Sequence, residues 1–257
     1  MNKILIVGKG YVGSAVVSIF KKDECVIVDP RYSRIKLEDL KGQKFKTIFV
    51  SLDTPKEDNF YLLQSVVKKI NKLLPGNIVC CKSTALPLIY EKIERVNKNI
   101  SVIHYPEFLS HRTNIKDFKT QKFIILGGSK SSCIVVSSLL KSRLKKVKKV
   151  IYTDIKTASL VKYASNSFLA SKITFFNELY KIFKKSKIKS TFSTFVEILL
   201  NDNRIGKSHT VVPGTDGRFG WGGHCFNKDI LHLYRFSNSK LLKYIFNLNK
   251  QHRKLYV

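Results

Sequence analysis

No segment of this chain approaches the roughly 20 consecutive apolar residues that a membrane span needs. The apolar stretch at its start, MNKILIVGKG, is ended by glycine too soon to serve as a signal peptide. A soluble, cytosolic protein with no membrane attachment is the expectation. Acidic residues are scarce, 18 Asp and Glu against 47 Lys and Arg, which leaves a net charge of +29 on 257 residues. Yet no RNP-type, zinc-finger or helix-turn-helix signature accompanies that charge. Most of it is lysine spread along the chain, as at Lys68-Lys69, Lys145-Lys146 and Lys184-Lys185. Solvated lysine-rich faces explain it better than a nucleic-acid partner, and their field favours a phosphate-bearing substrate. Cys25, Cys80, Cys81, Cys133 and Cys225 are odd in number and lack C-x-x-C spacing, and four of them lie in apolar runs. That pattern fits buried thiols in a reducing compartment. No internal repeat or low-complexity linker is present, and no metal is assigned.

What remains is a chain long enough for one large domain or two modest ones, 44% apolar and 25% charged. Short β-branched runs predict strands at Lys3–Val7, Cys25–Val28, Lys46–Val50, Asn77–Cys81, Ile100–Ile103 and Phe123–Leu126, with a last one near Val150–Tyr152. Amphipathic spacing predicts helices such as Val12–Phe20, Tyr61–Leu73 and Leu86–Val96 between them. Strands alternating with helices imply a doubly wound parallel sheet. From Asp154 the pattern changes. Ile155–Lys184 reads as one long helix with Thr153 or Asp154 as its cap, and Thr191–Leu200 and Leu241–Asn249 read as helices too. Asn201–His224 between them is a polar, Gly-rich loop, too long to be idle in a compact domain. The expected fold is α/β, Rossmann-like over residues 1–153, followed by an all-helical domain over 154–257.

Strand Lys3–Val7 runs into Gly8-Lys9-Gly10-Tyr11-Val12-Gly13, which opens a helix: G-x-G-x-x-G in its dinucleotide-binding context. The first glycine allows the tight turn, the second lets backbone approach a pyrophosphate, and the third lets helix pack on strand. Asp29 ends the second strand, where its carboxylate can accept from a ribose diol. Its charge favours NAD over NADP, although Arg31 and Arg34 nearby keep the second open. A tight turn without ligand is the plain alternative.

Further on, Gly217–Ile230 reads GRFGWGGHCFNKDI, with Cys225 behind Gly220, Gly222 and Gly223 and just ahead of a helical apolar segment. A thiol at a helix N-terminus meets unpaired N–H groups and the positive dipole end, which favour thiolate. The glycines let backbone pass close to a ligand, and Asp229 would lie one turn along the same face. Taken alone, a buried structural cysteine beside a flexible loop is the better reading of the stretch.

Together these motifs resemble the UDP-glucose/GDP-mannose dehydrogenase family. GKGYVG is similar to the family's cofactor loop, and Asp53-Thr54-Pro55 to its second cofactor-contacting turn. Lys82-Ser83-Thr84 with Pro87 resembles K-S-T-x-x-P, and Tyr105-Pro106-Glu107-Phe108-Leu109 its P-E-F-L segment. Lys162 to Asn166 resembles K-x-x-x-N, Asp202 to Gly206 D-x-R-I-G, and Gly222 to Asp229 G-G-x-C-F-P-K-D. The resemblance implies NAD-dependent oxidation of a nucleotide sugar's C6 alcohol, UDP-glucose being the commonest family substrate. It implies cofactor contacts from Gly8, Gly10, Tyr11, Val12, Gly13, Asp29, Arg34, Thr54 and Thr84. Cys225 would be the nucleophile, with Lys162 and Asn166 facing its oxyanion. Thr84, Glu107 and Asp229 would hold and deprotonate water, Glu107 as base and Asp229 orienting Lys162. Glu107, Phe108, Leu109, Lys162, Asn166, Arg204 and Gly222 would contact substrate. A homodimer through the long helix 155–184 is also implied, with Phe168, Ile173, Phe175 and Phe176 as its apolar surface and Arg204 reaching the neighbouring subunit.

Four departures stand out. Only 32 residues follow Cys225, so the family's further α/β domain is expected to be missing; His111 stands where the family has a second glutamate; Asn227 stands in place of proline and is expected to loosen the turn after the nucleophile; and the loop from Arg204 to Cys225 is longer than usual. A catalytically inactive, NAD-binding interaction or regulatory protein is therefore the competing reading.

Overall fold

The computed structural model describes residues 3–54, 60–110 and 113–254, the side chain of His224 excepted. Its contacts divide the chain into two compact units, Met1–Lys162 and Tyr163–Val257.

The first unit is built on seven strands: β1 (Ile4–Val7), β2 (Cys25–Val28), β3 (Thr47–Val50), β4 (Ile78–Cys81), β5 (Ser101–His104), β6 (Phe123–Gly128) and β7 (Lys149–Thr153). Each predicted strand is present. Their order across the sheet is β2-β1-β3-β4-β5-β6-β7. Helices α1 (Tyr11–Val17), α2 (Tyr61–Leu73), α3 (Pro87–Val96), α4 (Asn114–Thr120) and α5 (Lys130–Arg143) connect them. Strands such as ILIV and IVCC are apolar throughout because helices cover both faces. Leu5, Val7, Ile48 and Val79 pack with Leu63 and Val67 of α2 and Tyr90 and Ile93 of α3. Ile4, Ile6, Phe49 and Cys80 point the other way, against Ala15 and Val16 of α1 and Val136 and Leu140 of α5.

The sheet is not parallel throughout. β1 to β5 are parallel, but β6 pairs antiparallel with β5 (Ile103 opposite Gly128) and β7 runs parallel to β6. The reason lies in the link from β5 to β6. Among the described residues of that link the one helix is α4, which is held at the carboxyl end of β1, where Asn114 Nδ2 donates to the Tyr11 carbonyl at 2.8 Å. The chain never returns along the sheet, so β6 enters from the end at which β5 left.

Helix α6 (Ile155–Lys185) runs through the division between the units. Asp154 caps it as anticipated, its Oδ1 accepting from the Thr157 amide at 2.9 Å. The second unit continues with α7 (Phe192–Leu199), α8 (His224–Ser237) and α9 (Lys240–His252). Thr191 and Ser239 cap α7 and α9 through the amides of Thr194 and Leu242. Two apolar clusters hold this unit, one around Ala170, Trp221, Ile230 and Ile245, the other around Phe176, Phe183, Phe192 and Val196. Among the described residues no helix is long and apolar enough to cross a membrane.

Candidate functional site

In the first unit β1 lies between β2 and β3, the switch point at which doubly wound sheets bind ligands. Gly8 leaves β1 with φ +86°, donating to the Val28 carbonyl at 3.0 Å. A Cβ there would stand 2.5 Å from the Ser51 carbonyl oxygen, and a Cβ on Gly13 only 2.0 Å from that of Gly8. These two glycines serve the turn itself. Gly10 differs: a Cβ there would meet no atom of the described residues within 4 Å. Its space opens outward, which fits a backbone left bare for a pyrophosphate. The Asp29 carboxylate accepts from the amides of Lys9 (2.6 Å) and Arg31 (2.8 Å), which fixes its orientation. A carboxylate offers about four lone-pair positions, so capacity for a ribose diol remains. Both features fit a dinucleotide.

Around this turn, the Tyr11 hydroxyl donates to the Ser110 carbonyl, Val12 is half-buried, and Arg34 is exposed just beyond β2. Thr54 is buried, its amide donating to Asp53 Oδ1 at 2.9 Å, while Pro55 lies outside the described residues. The turns after β3 and β4 are clasped together by Ser83, whose hydroxyl accepts from the Leu52 amide and donates to its carbonyl, both at 2.8 Å. Thr84, next in sequence, is buried there.

At the carboxyl end of β5 sits Glu107. Its Oε1 pairs with Lys162 Nζ at 3.0 Å and its Oε2 accepts from the Leu109 amide at 2.7 Å, all but out of water. Burial pushes this carboxyl up, but the Lys162 charge, the Leu109 amide and the Lys82 charge together hold it below the ordinary value. The Phe108 ring packs on Phe123 at 5.5 Å and lies 5.5 Å from Lys162 Nζ. Lys82 is buried as well. Its ammonium donates to the Tyr105 carbonyl at 3.1 Å and lies 3.2 Å from the centre of that residue's ring. Burial pushes it down to about 7.

In the second unit Asn166 Nδ2 donates to Asp229 Oδ2 at 2.6 Å, and Lys228 Nζ pairs with Asp229 Oδ1 at 2.6 Å. All three side chains are buried. A solvated helix face, the plain alternative for Lys162 and Asn166, is thus excluded: each is buried against a carboxyl group of its own unit. Cys225 is the second residue of α8 and is exposed, whereas Cys80, Cys81 and Cys133 are buried. Burial pushes the Cys81 thiol up to about 12 and that of Cys133 up to about 11, so neither is a nucleophile at neutral pH. Asp229, one turn after Cys225, points into the core.

The glycines before Cys225 divide in role. A Cβ on Gly220 would meet Asn249 Oδ1 at 2.4 Å, and one on Gly222 the Arg253 guanidinium at 3.0 Å. Their space is taken by α9 and the residue that follows it, not left for a ligand. Around Gly223, with φ +77°, and around Gly217 further back, it is open among the described residues. Asn249 accepts from the Trp221 amide (2.7 Å) and donates to its carbonyl (2.9 Å), while Asn177 on α6 accepts from the Gly220 amide at 2.8 Å. Asn227 does not loosen a turn. It stands inside the first turn of α8, and its Nδ2 donates to the Gly223 carbonyl at 2.7 Å.

Arg204 is exposed and forms a forked pair with Asp202, while Lys172 holds its loop through the Ile205 and Gly206 carbonyls. His111 lies outside the described residues. Among the described residues no group of three or more His, Cys, Asp or Glu could hold a metal ion. Sequence reasoning gave no role to Lys82, Lys228, Asn177 or Asn249. Lys82 and Lys228 stood inside motifs, but nothing in a single sequence marks a lysine as buried.

Residues 39–156 match the family model of the NAD binding domain of UDP-glucose/GDP-mannose dehydrogenases, and residues 156–254 that of their central domain. The UDP-glucose 6-dehydrogenase of Rickettsia felis is 29% identical over 81% of this chain and 48% of its own length. That of Campylobacter jejuni is 28% identical over 98% and 73%. The chain thus spans about half the length of the first relative and about three quarters of the second. Among solved structures, a UDP-glucose dehydrogenase from Pyrobaculum islandicum superposes with a TM-score of 0.80 at 22% identity, covering 98% of this chain and 68% of that one. A UDP-D-ManNAc dehydrogenase from Pyrococcus horikoshii gives 0.77 at 18%, covering 97% and 68%. At such identities the likeness establishes the fold.

Proposed function

The chain belongs to the UDP-glucose/GDP-mannose dehydrogenase family and carries its NAD-binding domain, and from that membership we propose that it oxidises the C6 alcohol of a nucleotide sugar to the carboxylate, UDP-glucose being the first candidate. Gly8 to Gly13 and Asp29 would hold NAD, which would supply a hydride acceptor, one molecule of NAD for each of the two oxidations. The observation that carries the reading is the buried set Asn166, Asp229 and Lys228 in the second unit, with Asp229 one turn along α8 from the exposed Cys225 at that helix's N-terminus. Buried charges are retained at a cost and cluster where chemistry is done.

We assign the roles as follows. Loss of a hydride to NAD and of the hydroxyl proton to solvent water leaves an aldehyde. Cys225, favoured as thiolate at the start of α8, adds to the aldehyde carbon and forms a thiohemiacetal. Lys162 and Asn166, one turn apart on α6, supply the cation and the amide N–H that an alkoxide requires. A second hydride loss leaves the thioester. Glu107, held as carboxylate, takes a proton from water, which adds to the thioester carbon and expels the Cys225 thiolate. Thr84 completes the water site, and Asp229 holds Asn166 in place. Phe108, Leu109, Gly222 and Arg204 are assigned to substrate contact, Arg204 across a homodimer built on α6.

Purified protein supplied with NAD and a panel of nucleotide sugars should release two NADH per sugar consumed. Cys225→Ser should abolish the acid product. No NADH with any nucleotide sugar sinks the proposal, and NAD binding without turnover would establish a non-catalytic NAD-binding protein instead.

A further inference from the structure

We propose that Lys82 is a positioning residue for Glu107: its ammonium pins the Tyr105 carbonyl and so fixes the turn Tyr105–Leu109 that presents the Glu107 carboxylate to Lys162. The inference rests on the dehydrogenase reading for its catalytic consequence, though not for its geometry. β4 and β5 are parallel with Cys81 opposite His104, and the ladder runs one bond past both strands, the Tyr105 amide donating to the Cys81 carbonyl at 2.8 Å. There the main-chain ladder stops. The Tyr105 carbonyl takes the Lys82 ammonium in place of a further strand amide, at 3.1 Å. Pro106, next in the chain, has no N–H to give. Glu107 then closes the turn on itself, its Oε2 accepting from the Leu109 amide, and pairs with Lys162 through Oε1. A single side chain therefore anchors the main chain two residues before the carboxylate, and the Tyr105 hydroxyl secures the same residue from its far side on Gln121 at 2.7 Å.

The chemistry of the group supports a task beyond packing. Lys82 is 1% exposed, and among the described residues its three donors find one carbonyl and the faces of the Tyr105 and Phe118 rings. An ammonium so poorly partnered costs stability. A methyl-ended side chain of the same length would fill the space without that cost, but could not hold a carbonyl. Its charge also lies close enough to Glu107 to favour the carboxylate form.

The test is Lys82→Met, which keeps length and removes the donor. Hydrogen–deuterium exchange of the segment 105–110, read by mass spectrometry, should quicken at least tenfold at Leu109, while NAD affinity stays within twofold. The rate constant for NADH formation should fall at least tenfold at constant KM for NAD, with the acid limb of its pH profile moved upward. Exchange at Leu109 within twofold of wild type overturns the proposal. Should Lys82→Met not fold, Lys82→Gln gives the same readout, since its shorter chain cannot reach the carbonyl. If wild-type protein makes no NADH with any nucleotide sugar, the dehydrogenase reading falls alone, and the exchange measurement still decides on Lys82.

Discussion

At the scale of single residues the molecule is governed by polar side chains hidden from water. Glu107 and Lys162 stabilise one another, as do Asp229, Asn166 and Lys228, whereas no carboxylate among the described residues pairs with Lys82. That difference has a consequence for stability. In the unfolded chain a lysine titrates near 10.5, and in this fold burial brings Lys82 down to about 7. The folded state therefore holds this proton more weakly than the unfolded one, and stability rises with pH between those values. The burial cost is fully present below pH 7 and fades as pH climbs toward 10.5. Lys82→Met should accordingly be more stable than wild type by about 1–4 kcal/mol at pH 6, the usual gain when a buried charge gives way to an apolar group. The gap should shrink by pH 9.5. Urea melts at the two pH values decide it, and a gap that is constant or widens with pH contradicts the account. Stability would be gained as the turn at Glu107 loosens, the trade-off common at functional sites. None of this was legible in the sequence. A lysine is ordinarily a surface residue, and only the tertiary packing of Tyr105 and Phe118 over Lys82 makes it otherwise.

At the scale of elements, strands and long helices were legible because their signals are local: β-branched runs bounded by turns, and the capped apolar stripe of α6. α5 escaped, since Ser132 and Ser137 stand on its buried side and blur the stripe. The reversal at β6 escaped because the docking of α4 on α1 sets it, and alternation of strand and helix carries no direction. The cysteine loop shows the same limit. Its glycines read as room for a ligand, yet Gly220 and Gly222 give way to Asn249 and Arg253, some thirty residues later in the chain. α9 thus acts as a clamp on the segment that leads into Cys225. Asn249→Ala would leave the buried Trp221 amide and carbonyl without partners, each worth about 1–3 kcal/mol. We expect a loss of about 2 kcal/mol or more in chemical denaturation. The rate of Cys225 alkylation by iodoacetamide should also change several-fold, with NAD affinity unaltered. Unchanged alkylation would show that α9 stabilises its unit without setting the exposure of Cys225.

At the scale of the whole molecule two features oppose each other. Along α6, Val161, Phe168, Phe175 and Ile182 recur every seven residues and are exposed, Phe168 by 67% and Phe175 by 60%. Phe176, by contrast, is buried within its own unit and Ile173 partly so, which removes them from the surface first assigned to a partner. A seven-residue apolar repeat is the pattern with which helices pair, and exposed aromatic rings at this spacing favour a second copy of the same helix. Against it stands the charge, +29 on each copy. Two such chains repel over a distance set by the ionic atmosphere, about 30 Å at 0.01 M salt but only about 10 Å at 0.1 M. Salt should therefore strengthen the homodimer proposed on α6: apolar burial is little affected by moderate salt while the repulsion is screened. Sedimentation at micromolar concentration should find more dimer at 0.3 M than at 0.02 M sodium chloride. Phe168→Glu combined with Phe175→Glu should leave monomer at both. If salt instead dissociates the dimer, ion pairs rather than this seam hold it. A double variant that remains dimeric would move the interface off α6, and with it the assignment of Arg204 to a neighbouring subunit.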